Sequence, residues 1–338
     1  MSKKEMNLEP SAPTEQELYS GMVDDVGYYQ DSPPPYTEVQ PNSHLAAEMN
    51  GAMSLSADAQ NMMLEPARNL IQNSKFHEAA SLLEKLPLST TQQLMLAECY
   101  IRLHRNMNAT KRIIELETML TSSHRPKLSD VNKVINSYID NSQYIRALIL
   151  ILCSANLYKI ELSPDVAIVR FHRERAVKVY DIIISMKKKG KEMHAIAKDF
   201  GVEILLELFS VVQSFRDIEP TLKFNQEAYC ISLIAAMYGA IEEYKEEIDY
   251  CNIGINFMKK KFGEGAQKYR VYGHFWNNKA IAYGLEGNHI ESEKSYVVAL
   301  ECYRKVQDWT SDEQEKKFIG GVESRLRSER DQIMKMNK

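Results

Sequence analysis

One spacing of mostly apolar residues recurs five times and constrains the fold of this chain more than any other feature. Each set has a leading residue followed by others three, nine, twelve, sixteen and nineteen positions later. The sets are Ala67, Leu70, Phe76, Ala79, Leu83, Leu86; Ala97, Tyr100, Asn106, Ala109, Ile113, Leu116; Ile135, Tyr138, Tyr144, Ala147, Ile151, Ser154; Ala235, Tyr238, Tyr244, Glu247, Cys251, Gly254; and Ala280, Tyr283, His289, Ser292, Tyr296, Ala299.

This spacing is typical of two antiparallel helices joined by a short turn. A small leading residue lets the helices approach, a large residue one turn later fills the adjacent space, and a polar turn such as Asn141-Ser142 or Gly287-Asn288 reverses the chain. One such hairpin cannot bury its apolar faces alone, so several hairpins must stack. We therefore predict an all-α fold of stacked helical hairpins.

The fifth set lies within "WNNKAIAYGLEGNHIESEKSYVVALECY", which resembles a tetratricopeptide repeat (TPR). The residues that match the signature positions of that family are Trp276, Ala280, Tyr283, Gly287, Tyr296 and Ala299. The resemblance covers residues 62–305 with gaps. It implies a right-handed superhelix, over residues 61–310, whose concave face holds a protein partner. A generic α-helical bundle is the alternative.

The repeats are unevenly spaced along the chain. The leading residues are separated by 30, 38, 100 and 45 positions, and Glu247 stands where a small residue is expected. The longest interval leaves room for an irregular helical pair at about 160–220. The last segment, 311–338, has an apolar stripe of Phe318, Val322 and Leu326, so we expect an amphipathic capping helix, with a coiled-coil arm as the alternative.

The first 60 residues differ in composition from the rest. Up to Asp58 the chain has two basic and ten acidic residues, six of its eleven prolines and no tryptophan. Such a segment cannot bury enough apolar surface to offset its conformational entropy. We therefore predict a disordered acidic tail ahead of a helical body that carries 40 basic and 36 acidic residues.

The tail contains a short proline–tyrosine motif, "PPPY", at Pro33, Pro34, Pro35 and Tyr36. It resembles the P-P-x-Y peptides that bind WW domains. Proline-rich segments preform a polyproline II helix and so lose little entropy on binding. The resemblance implies recruitment of a WW-domain protein, such as a HECT-type ubiquitin ligase or a trafficking factor. A spacer without a partner is the alternative.

Three tail residues are candidate phosphorylation sites. Tyr19 and Tyr36 each start a tetrapeptide that ends in an apolar residue, which resembles endocytic sorting signals and SH2 ligands, and Ser32 precedes a proline.

The body carries no recognisable catalytic or cofactor motif, so we predict a non-enzymatic protein without a cofactor or metal. The five cysteines are widely spaced and form no C-x-x-C pair, which favours buried, reduced thiols over a zinc or disulfide framework. Adjacent carboxylates such as Glu246-Glu247 are interpreted as a solvated helix surface.

The concave face of a TPR-like body would be lined by residues three before and one after each leading residue. These are Leu64, Arg68, Leu94, Glu98, Asn132, Asn136, Ser232, Ala236, Asn277 and Ile281. Arg68, Asn132, Asn136 and Asn277 are the groove candidates. Only Asn132 and Asn136 resemble the clamp by which some TPR domains hold a chaperone tail, so we do not expect that ligand.

An RNA-binding helical solenoid is a competing hypothesis, based on "RFHRER", "KKKGK" and "KKK". However, the two lysine runs precede Gly190 and Gly263 and are typical of helix C-termini, and nearby acidic residues argue against nucleic acid. A structural subunit with an inert tail is a third hypothesis.

We predict a protein–protein interaction adaptor in the cytoplasm, because the sequence shows neither a signal peptide nor a membrane span. The sequence does not specify an oligomeric state.

Overall fold

The computed structural model describes residues 57–122, 125–307, 309 and 311–336, and only the backbone of 57, 58, 172 and 173. Within these ranges all regular secondary structure is helical, so the all-α prediction is confirmed. The acidic tail, its PPPY motif and the candidate phosphorylation sites Tyr19, Ser32 and Tyr36 lie outside the described residues.

The described residues fall into two compact units, 57–237 and 238–336. The first unit contains α1 (Ala57–Gln72), α2 (Phe76–Leu83), α3 (Thr90–Arg102), α4 (Asn106–Thr121), α5 (Leu128–Asp140), α6 (Tyr144–Cys153), α7 (Ala155–Glu161), α8 (Pro164–Phe171), α9 (Val177–Lys187), α10 (Lys191–Ile196), α11 (Val202–Ser214) and most of α12 (Pro220–Ala240). The second unit contains α13 (Tyr244–Phe262), α14 (Arg270–Leu285), α15 (His289–Tyr303) and α16 (Asp312–Met336).

Five turns with one backbone geometry join α1 to α2, α3 to α4, α5 to α6, α12 to α13 and α14 to α15. The middle residue of each turn has a positive φ: Ser74 (59°), His104 (53°), Ser142 (58°), Glu242 (67°) and Gly287 (80°). The next N–H donates to a carbonyl five residues back, from Lys75 to Leu70, Arg105 to Tyr100, Gln143 to Tyr138, Glu243 to Tyr238 and Asn288 to Tyr283, at 2.8–2.9 Å. This is the Schellman arrangement that ends a helix.

Each carbonyl that closes one of these turns belongs to the second residue of one of the five sequence sets. The leading residues of the sets are all fully buried: Ala67, Ala97, Ile135, Ala235 and Ala280. The five sequence sets therefore correspond to five equivalent helix–turn–helix elements that share one turn geometry.

The long interval between the third and fourth sets holds a pair of interrupted helices. A single π-helical turn, His172–Ala176, joins α8 to α9, and a second, Ala197–Gly201, joins α10 to α11. Gly190, with a φ of 114°, lies between the two interrupted helices. A Cβ on Gly201 would lie 2.8 Å from the Cδ1 of Ile183, so the second π turn packs closely on α9.

Glu247 corrects one interpretation made from the sequence. It was assigned to a solvated helix surface, but its side chain is fully buried. The physical reason is its place in the fourth set, where the other repeats carry a small residue that faces the neighbouring helix. The repeat register, rather than the charge of the residue, decides its burial.

The C-terminal helix α16 packs on the last repeat of the second unit. Val322 and Leu326 are buried, and the Phe318 ring lies 5.1 Å from the ring of His274 and 5.7 Å from that of Tyr303. The Arg330 side chain also pairs with Glu293 at 2.7 Å. The apolar stripe of α16 is thus the face that covers the last repeat.

The lysine runs lie at helix ends, where the sequence predicted them. Helix α9 ends at Lys187, three residues before Gly190, and α13 ends at Phe262, directly before Gly263. None of the described helices is long and apolar enough to cross a membrane.

Candidate functional site

The groove candidates lie in two separate units, and the structure brings only Asn132 and Asn136 together. Arg68 is half-buried on α1 and donates to the Oε2 of Glu65 at 3.2 Å and the Oδ1 of Asn61 at 3.0 Å, both on its own helix. Asn277 lies on α14 of the second unit, where it is buried.

Asn277 is covered by the C-terminal helix of the chain. Its Oδ1 accepts a hydrogen bond from the Nη2 of Arg325 at 3.1 Å, and the Arg325 guanidinium lies 5.9 Å from the centre of the Tyr296 ring. Asn277 is therefore not available to a partner while α16 is in place.

Several other residues assigned to the concave lining are also buried. They are Leu64, Leu94, Glu98, Ser232, Ala236 and Ile281. The sequence register predicted one face of each leading helix, but it did not show how much of that face the chain itself covers.

Asn132 and Asn136 lie one turn apart on α5 and contact the first π turn and the start of α9. The Oδ1 of Asn132 accepts from the Nη2 of Arg175 at 2.7 Å, and its Nδ2 donates to the Oε2 of Glu174 at 3.2 Å. The Oδ1 of Asn136 accepts from the Nζ of Lys178 at 2.8 Å. These two asparagines belong to a polar cluster, which we call the Arg175 cluster: Ser154, Tyr158, Asn132, Asn136, Glu174, Arg175 and Lys178.

Arg175 is the most unusual member, because its side chain is fully buried. Its Nη2 donates to Asn132 and to the Oγ of Ser154 at 3.1 Å. The guanidinium also lies over the Tyr158 ring, 4.9 Å from its centre. Within the described residues, the Nε and Nη1 of Arg175 have no hydrogen-bond partner. Burial lowers the pKa of Arg175, because it removes a charged group from water.

Glu174 supplies the negative charge of the cluster. Its Oε2 accepts from the hydroxyl of Tyr158 at 3.0 Å as well as from Asn132. The pKa of Tyr158 is raised, chiefly by burial, although the positive charge of Arg175 acts in the opposite direction. Tyr158 therefore stays protonated and remains a hydrogen-bond donor to Glu174.

Lys178 completes the cluster on its half-buried side. The pKa of Lys178 is lowered, first by burial and then by the positive charge of Arg175, while Glu174 and Asp140 partly offset this effect. Two cations thus lie close together beside one carboxylate that already accepts two hydrogen bonds. The cluster has an excess of positive charge and of donors.

A second group of charged residues in the same unit forms ion pairs. The Nε of Arg146 donates to the Oε2 of the buried Glu98 at 2.5 Å, and Arg102 pairs with Glu192 at 2.9 Å. Burial acts to lower the pKa of Arg146, but the contact with Glu98 outweighs it, so the pKa is raised. This ion pair joins α3 to α6 and has a structural role.

The sequence did not identify Arg175, Glu174 or Tyr158 as members of a site. The available signal was "RFHRERAVK", a charged segment between apolar helical stretches, for which the sequence predicts a solvated basic helix face, with RNA binding as the alternative. Among the described residues, no group of three histidine, cysteine, aspartate or glutamate side chains could hold a metal ion.

Comparison with known proteins does not assign a family. No family model matches the chain, and no curated protein matches it. Among solved structures, the crystal structure of BtubC (BKLC) from P. vanneervenii is similar over 74% of this chain and 93% of its own, with 11% identity and a TM-score of 0.37. A likeness at this level assigns neither a fold family nor a function.

Proposed function

We propose that this chain is a non-enzymatic protein–protein interaction adaptor of TPR-like construction that acts in the cytoplasm. The body binds one protein, and the PPPY segment of the tail recruits a WW-domain protein, such as a HECT-type ubiquitin ligase or a trafficking factor. The observation that carries this proposal is the set of five equivalent helix–turn–helix elements, because stacked hairpins present extended surfaces that are suited to binding other chains.

The position of the lysine runs supports a protein partner over RNA. Lys187 lies in the last turn of α9, and Lys259, Lys260 and Lys261 lie in the last turn of α13, where lysines interact favourably with the helix dipole. Their placement therefore has an explanation within the fold, and it does not require a phosphate backbone.

The tail half of the proposal can be tested with peptides of residues 28–40 and a purified WW domain that binds P-P-x-Y ligands. We expect a dissociation constant of about 10 μM, or about −7 kcal/mol, because few side chains are buried but the polyproline conformation is largely preformed. Titration calorimetry gives the value directly.

Three altered peptides make this test specific to the motif. Tyr36→Ala removes the anchoring ring and should abolish detectable binding, whereas Pro35→Ala changes the variable position and should have little effect. Phosphorylation of Tyr36 adds about two negative charges where the groove binds an apolar ring, so it should prevent binding. Equal affinity of the wild-type and Tyr36→Ala peptides would refute recruitment through this motif.

A further inference from the structure

The Arg175 cluster contains more hydrogen-bond donors than the described residues satisfy. Arg175 is fully buried, and its Nε and Nη1 have no partner among the described residues. Lys178 donates to Asn136, which leaves two of the three ammonium protons for another acceptor. The cluster therefore has about five N–H donors without a described partner, three on the buried guanidinium of Arg175 and two on the half-buried ammonium group of Lys178.

The negative charge in the cluster does not compensate both cations. Glu174 already accepts hydrogen bonds from Tyr158 and Asn132. No carboxylate in the part of the chain that the structure describes is within ion-pair distance of Arg175. Since burying an unpaired charge is unfavourable, proteins pair such charges. The arrangement is complementary to an anion with several acceptor oxygens.

The backbone is also irregular at this position. Glu174 and Arg175 lie on the π-helical turn His172–Ala176, and single π turns within α-helices frequently occur at functional sites. Asn132, Asn136 and Lys178 are only half-buried, so the cluster reaches solvent on that side. Lys178 is thus the cation of the cluster on the solvent side, whereas Arg175 is fully buried behind it.

A phosphate group fits this donor set better than a carboxylate does. It carries about −1.5 to −2 charges near neutral pH and three strong acceptor oxygens. A carboxylate carries one charge and two oxygens. With two cations and about five free N–H donors, the better complement is the group with the larger charge and the greater number of acceptors.

We propose that the Arg175 cluster binds a phosphate monoester on a phosphorylated segment of a protein partner, with Arg175 and Lys178 as its donors and Asn132 and Asn136 as the residues that position them. This inference rests on the proposed function, because it specifies the chemistry of the partner that the helical body binds. It identifies a site that is separate from the PPPY motif.

The test uses the full-length protein and titration calorimetry with three probes. These are a capped Gly-Gly-phosphoserine-Gly-Gly peptide, the same peptide with unmodified serine, and inorganic phosphate. We expect saturable binding of the phosphopeptide and of phosphate, and none of the serine peptide. Binding should weaken as salt is added, because salt screens the attraction of partly exposed charges.

Two substitutions locate the site. Lys178→Met and Arg175→Met should each weaken phosphopeptide binding about tenfold or more, which corresponds to the loss of about 1.4 kcal/mol. Lys133→Met is the matched control, because Lys133 is an exposed lysine on α5 that pairs with Asp130, and it should leave binding unchanged. Circular dichroism checks folding, and if Arg175→Met does not fold, Lys178→Met decides the test.

Two results would overturn the inference. If inorganic phosphate binds but the phosphopeptide does not, a protein segment is excluded as the source of the phosphate group. Absence of binding by both, or equal binding by the Lys178→Met variant, would show that the cluster is not an anion site. Neither result affects the WW-domain titration, so failure of this inference can be distinguished from failure of the proposed adaptor function.

Discussion

Gly254 lies where α13 packs closely against α14 in the second unit. It is on α13, and a Cβ added to it would lie 2.2 Å from both the Cε1 and the Cζ of Phe275 on α14. Carbon atoms that are not bonded normally stay about 3.5–4.0 Å apart. Phe275 is fully buried, so its ring cannot move aside without displacing other core side chains. Gly254→Ala should therefore strain the contact between these helices.

Two opposing terms set the size of this effect. Alanine is favoured over glycine inside a helix by about 1 kcal/mol, whereas overpacking a well-packed core costs about 1–3 kcal/mol. The overlap with a rigid ring favours the upper end of that range. We expect a net loss of about 2 kcal/mol in the free energy of unfolding, the difference between these two terms.

Gly320→Ala is the matched control. Gly320 also lies within a helix, α16, but nothing is within 4 Å of a Cβ built on it. The same substitution should therefore stabilise the protein there by up to about 1 kcal/mol. The two variants should differ by about 3 kcal/mol, although each adds one methyl group to a helical glycine.

Tryptophan fluorescence during urea unfolding measures this difference, because Trp276 and Trp309, the two tryptophans of the chain, both lie in the second unit. Gly254→Ala should unfold at a lower urea concentration than the wild type, and Gly320→Ala at an equal or higher one. If the two variants unfold at the same concentration, the packing of α13 on α14 is not as described.

Three further predictions concern the body. Ala280→Arg would bury an unpaired charge at the fully buried leading position of the fifth set. It should lower the free energy of unfolding by several kcal/mol, on the order of the stability of a whole domain. If this variant melts at the same temperature as the wild type, the assigned repeat register is wrong. All five cysteines are buried and form no disulfide, so a water-soluble thiol reagent at pH 8 should modify them only after unfolding. Rapid modification of the native protein would contradict this. Burial raises the pKa of the Cys99 and Cys230 thiols from 9.0 to about 12. As the pH rises, the unfolded chain loses these protons before the folded protein does, so the free energy of unfolding should fall between pH 9 and pH 12. A urea midpoint that is the same at pH 8 and at pH 10.5 would contradict this prediction.

The repeats could be predicted from the sequence because burial in a hairpin follows helical spacing. Ala67, Ala97 and Ala280 are small, periodic and fully buried. The turn geometry was harder to predict from the sequence. Gly287 is the residue expected at a positive φ, but Ser74 and Glu242 adopt the same conformation, in which the N–H of the next residue satisfies a carbonyl at the helix end.

The candidate site could not be predicted in the same way. The π turn shifts the helical register at Arg175, so a regular 3.6-residue period assigns "RFHRERAVK" to a solvated basic face. Asn277 illustrates a second limit of prediction from sequence. Arg325, which hydrogen-bonds to Asn277, is distant in sequence and reaches it only through the packing of α16. Local patterns predict which face of a helix is apolar, but not which distant element covers it.

The most direct test of the adaptor proposal is titration calorimetry of the full-length protein with a purified WW domain of the P-P-x-Y-binding class. We expect one WW domain bound per chain, with an affinity close to that of the peptide of residues 28–40, and no detectable binding by full-length Tyr36→Ala. If the intact protein does not bind the WW domain, or if the Tyr36→Ala protein binds equally well, the chain does not recruit WW-domain proteins through its tail.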